Sequence, residues 1–131
     1  MLEGAPMQLR KDALFHSAQR STAEVNKWLA AMVANSRAPL EVRKDALFFL
    51  AQRKADASDD MSALYDGALP FEIKKDLLFF FAQRRDDKSL LKLIAAAKSD
   101  PSEALRKDAL FYLAQSKDPR ALKAIEEIAI P

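Results

Sequence analysis

The sequence predicts an all-α protein, a right-handed α-solenoid of four stacked helical hairpins. Three observations lead there. Four segments superimpose along the chain: QLRKDALFHSAQR (8–20), EVRKDALFFLAQR (41–53), EIKKDLLFFFAQR (72–84) and ALRKDALFYLAQS (104–116). Their Lys-Asp pairs stand at 11–12, 44–45, 75–76 and 107–108, spaced by 33, 31 and 32 residues. Self-similarity at such a period marks units that bury their apolar faces only by stacking on one another. Finally, the apolar residues recur at helical spacing, without the turn-bounded alternation of a strand. A single domain over residues 1–131 is expected, with repeats near 6–35, 39–68, 70–99 and 101–131. The closing IEEIAIP also suits a piece of a longer chain.

Each repeat opens its first helix in the same way. Pro6, Pro39, Pro70 and Pro101 keep the period, and proline suits the first helical position, where its missing N–H would be unpaired anyway. Glu41, Glu72 and Glu103 follow two residues later, near the positive end of the helix dipole. In the fourth repeat, which has one extra residue before Lys-Asp, Asp100 is the expected cap, boxed with Glu103. The helices then run through an apolar block to Arg20, Arg53, Arg84 and Lys117, cations that suit the negative end.

The second helices follow in order. Ser21 and Glu24 box the first, which turns Val25, Trp28, Leu29, Met32 and Val33 to one face. In repeat two the polar ADASDD (55–60) leaves only Met61, Leu64, Tyr65 and Ala68, predicting a short, irregular helix. Repeat three buries Leu90, Leu93, Ile94 and Ala97, and repeat four starts at Asp118-Pro119 and buries Leu122, Ile125, Ile128 and Ala129. Eight helices result. The apolar block is hydrophobic nearly all round, so it needs cover on several sides. Ala46, Leu47, Leu50, Leu78, Phe81, Leu110 and Leu113 are therefore the expected core. His16 and Ser17 replace large apolar residues of the later copies, as a more polar end repeat should.

Composition excludes several chemistries. With 131 residues a core is attainable without staples. Zero cysteine removes disulfides, thiolate metal sites and cysteine nucleophiles; one histidine cannot build a multi-histidine centre; two glycines cannot form a phosphate-cradling loop. A net charge of +2 gives no bulk attraction to nucleic acid or membrane. No apolar run approaches the ~18–20 residues of a membrane span, and MLEGAPMQLR lacks the apolar stretch of a signal peptide. A cytoplasmic protein is expected, or a periplasmic one if the chain is an excised domain. No catalytic residue, cofactor or metal ligand is expected.

The segment RKDALFFLAQ (43–52), together with KDPRALKAIEEI (117–128), resembles bacterial HEAT-like repeats, the helical hairpins also seen in phycobilisome-lyase-type proteins. The resemblance extends over nearly the whole chain but rests on core and capping positions. It implies a fold similar to armadillo and HEAT arrays, which bind other proteins on an extended curved surface. A minority bind nucleic acid, HEAT-like DNA glycosylases among them, and some handle tetrapyrroles. In HEAT arrays the second helices line the concave side. That analogy makes Glu24, Lys27, Lys88, Lys92, Arg120, Lys123 and Glu127 the candidate partner-binding residues.

Other constellations have simpler readings. Lys11-Phe15-Gln19, Lys44-Phe48-Gln52, Lys75-Phe79-Gln83 and Lys107-Phe111-Gln115 each fall at i, i+4, i+8 and share a helix face. They would grip an extended peptide, but the preferred reading has phenylalanine filling the seam between repeats and the lysine stem covering it. Asp12, Asp45, Asp76 and Asp108 read as an inter-repeat charge ladder. The basic doublets 10–11, 43–44, 74–75 and 106–107 are followed by acids, so a solvated, self-neutralised face is preferred to a phosphate track. Trp28 is expected in the core, and His16 has no catalytic partner in sequence. The expected function is a non-enzymatic module binding another protein or peptide. A nucleic-acid-binding array and a tetrapyrrole-lyase accessory are the alternatives, and no membrane partner is expected.

Overall fold

The computed structural model describes residues 23–53 and 57–130, and within them all regular structure is helical. The expectations for the first helix, His16, Ser17 and the Ser21 cap lie outside the described residues. Contacts divide the chain into two compact units, Met1–Leu69 and Pro70–Pro131.

In the first unit, α1 (Ala23–Ala34) packs against both α2 (Leu40–Ala51) and α3 (Ala57–Tyr65), and α2 also touches α3. Val25, Leu29, Met32 and Val33 of α1 meet a core completed by Val42, Ala46, Leu47, Leu50, Ala57 and Met61. Trp28 is only half-buried, contrary to expectation, and Asn26 takes a buried place instead. Helix α3 is short, as expected, but it begins inside the polar stretch. Ala57 and Ser58 are buried, while Asp59 and Asp60 occupy the first turn, where carboxylates are favoured by the helix dipole. Ala68 lies beyond the helix and is exposed.

A buried arginine joins α1 to α2. The last carbonyls of a helix have no partner within it, and α1 carries no cation in its last turn. Arg43 of α2 supplies one: its Nε donates to the Val33 carbonyl at 2.9 Å, and the side chain is buried. Desolvation lowers the pKa of this guanidinium. In the second unit Arg106, at the matching repeat position, donates through Nη1 to the Asp100 and Pro101 carbonyls at 2.7 and 3.3 Å. In the doublets 43–44 and 106–107 the first member is thus turned back onto the end of the preceding helix or the connection after it, not spread on a solvated face.

The second unit holds α4 (Phe71–Arg84), α5 (Asp87–Ser99), α6 (Glu103–Gln115) and α7 (Pro119–Ala129). Short connections fold them into the hairpins α4–α5 and α6–α7. First helix α4 lies against first helix α6, second helix α5 lies against second helix α7, and α5 also packs on α6. Lys75 Nζ of α4 stands 3.5 Å from Asp108 Oδ2 of α6, a rung of the expected charge ladder. Ile73, Leu77, Leu78, Phe81, Leu93, Leu105, Ala109 and Leu113 form the core.

Helix starts differ from expectation in detail. Pro39 and Pro70 are N-caps, one position before the first helical residue, with ψ of 145° and 148°. Each still contributes its carbonyl, which accepts from Arg43 N and Lys74 N at 3.1 Å. In repeat four the extra residue transfers the cap to Ser102, whose Oγ accepts from Leu105 N at 3.3 Å. Asp100 instead ends α5 and accepts from Ser102 N at 2.8 Å. Asp118 caps α7 as expected, accepting from Arg120 N at 2.8 Å.

The largest departures fall on the last repeat. Leu110 is half-buried where Leu47 and Leu78 are fully enclosed. On α7 the buried residues are Ala121 and Ala124, while Leu122 is 60% exposed, Ala129 is exposed, and Ile125 and Ile128 are half-buried. The expected apolar face is only half covered because no described helix follows α7. Small alanines make the contact with α5 and α6, and the bulky side chains keep the outer side.

Candidate protein-binding surfaces

The second helices carry the residues that fold analogy selects. Glu24 and Lys27 are exposed on α1, Lys88 is exposed and Lys92 half-buried on α5, and Arg120, Lys123 and Glu127 are exposed on α7. Within the second unit, part of this set is engaged internally. Arg120 Nη2 lies 2.8 Å from Asp87 Oδ1 and 3.0 Å from Asp118 Oδ2. Lys98 Nζ of α5 reaches Glu127 Oε1 of α7 at 2.7 Å. Hydrogen bonds from Arg120 lower the Asp118 pKa, those to Asp118 and Asp87 raise that of Arg120, and Lys98 lowers that of Glu127. These groups therefore stay charged and tie α5 to α7.

The first helices present a different surface. Phe48, Phe79 and Phe111 are 51%, 43% and 59% exposed, so large parts of these rings stay outside the seam between repeats. The reason lies in helix geometry: Leu47, Leu50, Leu78 and Phe81, on neighbouring positions of the same turns, already occupy the inner face. Phe79 packs edge-on against Tyr112 of α6, with ring centroids 6.2 Å apart, and Phe111 meets the same ring at 5.7 Å. Edge-to-face contacts of this kind fix aromatic rings while leaving faces open. Burial and the Asp108 carboxylate push the Tyr112 hydroxyl pKa up, so it remains a hydrogen-bond donor.

Beside this cluster the second unit opens into a groove of about 650 Å³. It lies where α4 and α6 end, and Phe79, Gln83, Arg85, Tyr112, Gln115 and Lys117 contribute to its walls. The repeat pattern does not reveal it, because a groove between hairpin ends depends on how the connections turn. One signal was present: Gln-Arg-Arg-Asp-Asp leaves no glycine to reverse the chain after α4. Arg85 makes that reversal in the left-handed conformation, with φ 59° and ψ 18°, and is the non-glycine residue with positive φ among those described. Side chains there cost energy that glycine avoids. R85G is accordingly expected to raise stability by about 0.5–1 kcal/mol, read from denaturant unfolding; a loss of stability would show that Arg85 contributes a fold-stabilising contact.

Among the described residues there is no cluster of three or more histidine, cysteine, aspartate or glutamate side chains placed to hold a metal ion. No helix among them is long and apolar enough to cross a membrane. No family model matches the chain, and neither curated proteins nor solved structures give a match.

Proposed function

We propose that this chain is a non-enzymatic interaction module, a HEAT-like α-solenoid array whose repeats present an extended helical surface to another protein or peptide. The observation that carries this reading is large apolar side chains left outside at matching repeat positions. Phe48, Phe79 and Phe111 are exposed, and Leu91 and Leu122 add to them at 54% and 60%. Aromatic and aliphatic residues held outside on rigid helices are the usual anchors of protein interfaces. The repeat spacing and the pairing of α4 with α6 and α5 with α7 are what a solenoid requires. A nucleic-acid array gains little support, because Arg43 and Arg106 point to backbone carbonyls, leaving fewer cations for phosphates.

The test sets two surfaces against each other in capture of partners from the native source. One variant is K27E/K92E/K123E on the second helices; the other is F48S/F79S/F111S on the first. Both should retain wild-type helical content by circular dichroism. One of them should cut recovery of a specific partner at least about tenfold, the size of a lost interface anchor. Recovery unchanged by both variants would overturn the reading.

A further inference from the structure

The groove of the second unit combines features that select one kind of occupant. Its volume of about 650 Å³ suits a few side chains of a linear segment, not the flat footprint of a folded domain. Its walls repeat in register. Phe79, Gln83 and Arg85 from one repeat face Tyr112, Gln115 and Lys117 of the next, and Gln115 and Lys117 follow Gln83 and Arg85 by the same 32 residues. Gln83 and Gln115 are exposed, and a glutamine amide offers both a donor and an acceptor, the complement of a peptide unit. The ring of Phe79 and the edge of Tyr112 supply an apolar floor.

Charge decides the sign of the occupant. Asp118, which lines the groove, and Asp86, next to Arg85 in sequence, are both engaged: Asp86 accepts from Ser89 N at 2.8 Å and pairs with Arg84 at 3.3 Å, and Asp118 caps α7 and pairs with Arg120. Arg85 and Lys117 are exposed at the groove, and the structure gives neither side chain a hydrogen bond or an ion pair among the described residues, the Arg85 N–H alone being used to close α4 on Phe81 O. Arg85 moreover occupies a strained position where glycine would relieve the backbone, and strain retained at a surface is a pointer to use. A nucleic acid fits less well. It brings one phosphate per nucleotide along an extended basic track, whereas this groove offers two cations, Arg85 and Lys117.

We propose that this groove binds an extended acidic peptide. A large apolar side chain of the peptide would lie on Phe79 and Tyr112, its backbone would pair with Gln83 and Gln115, and its carboxylates would meet Arg85 and Lys117. The inference rests on the interaction-module reading and names the partner class and the site within it.

The experiment is selection of a random displayed peptide library on the full chain, followed by anisotropy titration of the selected peptides. Enriched sequences should carry acidic residues around an aromatic or aliphatic one. R85E/K117E should weaken them at least about tenfold, Q83A/Q115A several-fold, and R85G several-fold although it relaxes the backbone, with helical content unchanged throughout. Binding should also weaken as salt rises. Basic or charge-neutral enriched peptides, or affinities indifferent to R85E/K117E and Q83A/Q115A, would overturn the inference. So would oligothymidylate competing for the groove with the same sensitivity, which would assign it to nucleic acid. Peptides that answer only to K27E/K92E/K123E would remove the groove and leave the interaction module standing. A library yielding no binder, together with partner capture unaffected by surface variants, would remove both.

Discussion

Replacing Leu78 by alanine is expected to destabilise the second unit by ~2–5 kcal/mol. Leu78 is fully buried in the middle of α4, a helix that packs against both α5 and α6. Truncation removes three carbon atoms from a site walled on two sides by other helices, so collapse to fill the space would require moving a whole hairpin. The transfer loss and the residual cavity therefore add, as they do for enclosed leucines generally. Leu110, at the matching position of the next repeat, is only half-buried, and L110A should cost less than half as much. Denaturant unfolding of both variants tests the pair. A Leu78 loss below about 1 kcal/mol would mean that the hairpins are not packed as described.

The contrast between Leu78 and Leu110 also shows what the sequence could and could not disclose. Periodicity identified the helices and the inner positions Leu47, Leu50, Leu78, Phe81 and Leu113, because those residues lie on a face dictated by helix geometry alone. Chemistry local to a few residues was equally readable: Asp118 before Pro119 is a cap on any backbone. What failed depended on neighbours. Leu122 has the same hydropathy as Leu90, yet one is exposed and the other buried, since only the latter has helices on both sides in its unit. Repetition places Phe48, Phe79 and Phe111 at equivalent positions but does not say how far each is covered: Phe79 meets Tyr112 of the next repeat, yet all three keep large exposed areas. The cap at Ser102 follows from one inserted residue, which the repeat spacing reveals without fixing which side chain takes the capping place. The groove beside Phe79 arises from the conformation of Arg85 and the offset of two helix ends, neither of which leaves a pattern in composition. Of the fold-analogy set, Arg120 and Glu127 were legible as surface residues, whereas their engagement with Asp87 and Lys98 needed partners about thirty residues away in sequence.

Arg43 illustrates the same dependence in the first unit and carries the second large expected effect. In sequence it is the leading cation of an ordinary basic doublet. In the fold its Nε donates to the Val33 carbonyl at 2.9 Å in a buried setting, ten residues back along the chain. That carbonyl lies in the last turn of α1, where helical partners have run out. R43A would leave it desolvated and unpaired, and would also remove the aliphatic stem from the α1–α2 contact. A hydrogen bond from a charged donor to a buried acceptor contributes about 1.5–3 kcal/mol, and a loss of that order is expected for R43A in denaturant unfolding. Lysine is a poor substitute, because its donor lies one bond farther out and is a compact, strongly hydrated charge. R43K should therefore recover less than half of the loss, and R43M should recover the packing alone. Amide exchange gives the local readout: the Asn35 and Ala38 N–H groups, which bond to Met32 O and Asn35 O in the turn after α1, should lose protection in R43A. Wild-type stability in R43K would show that the stem and the charge suffice, and that the fork geometry of arginine is not what closes α1.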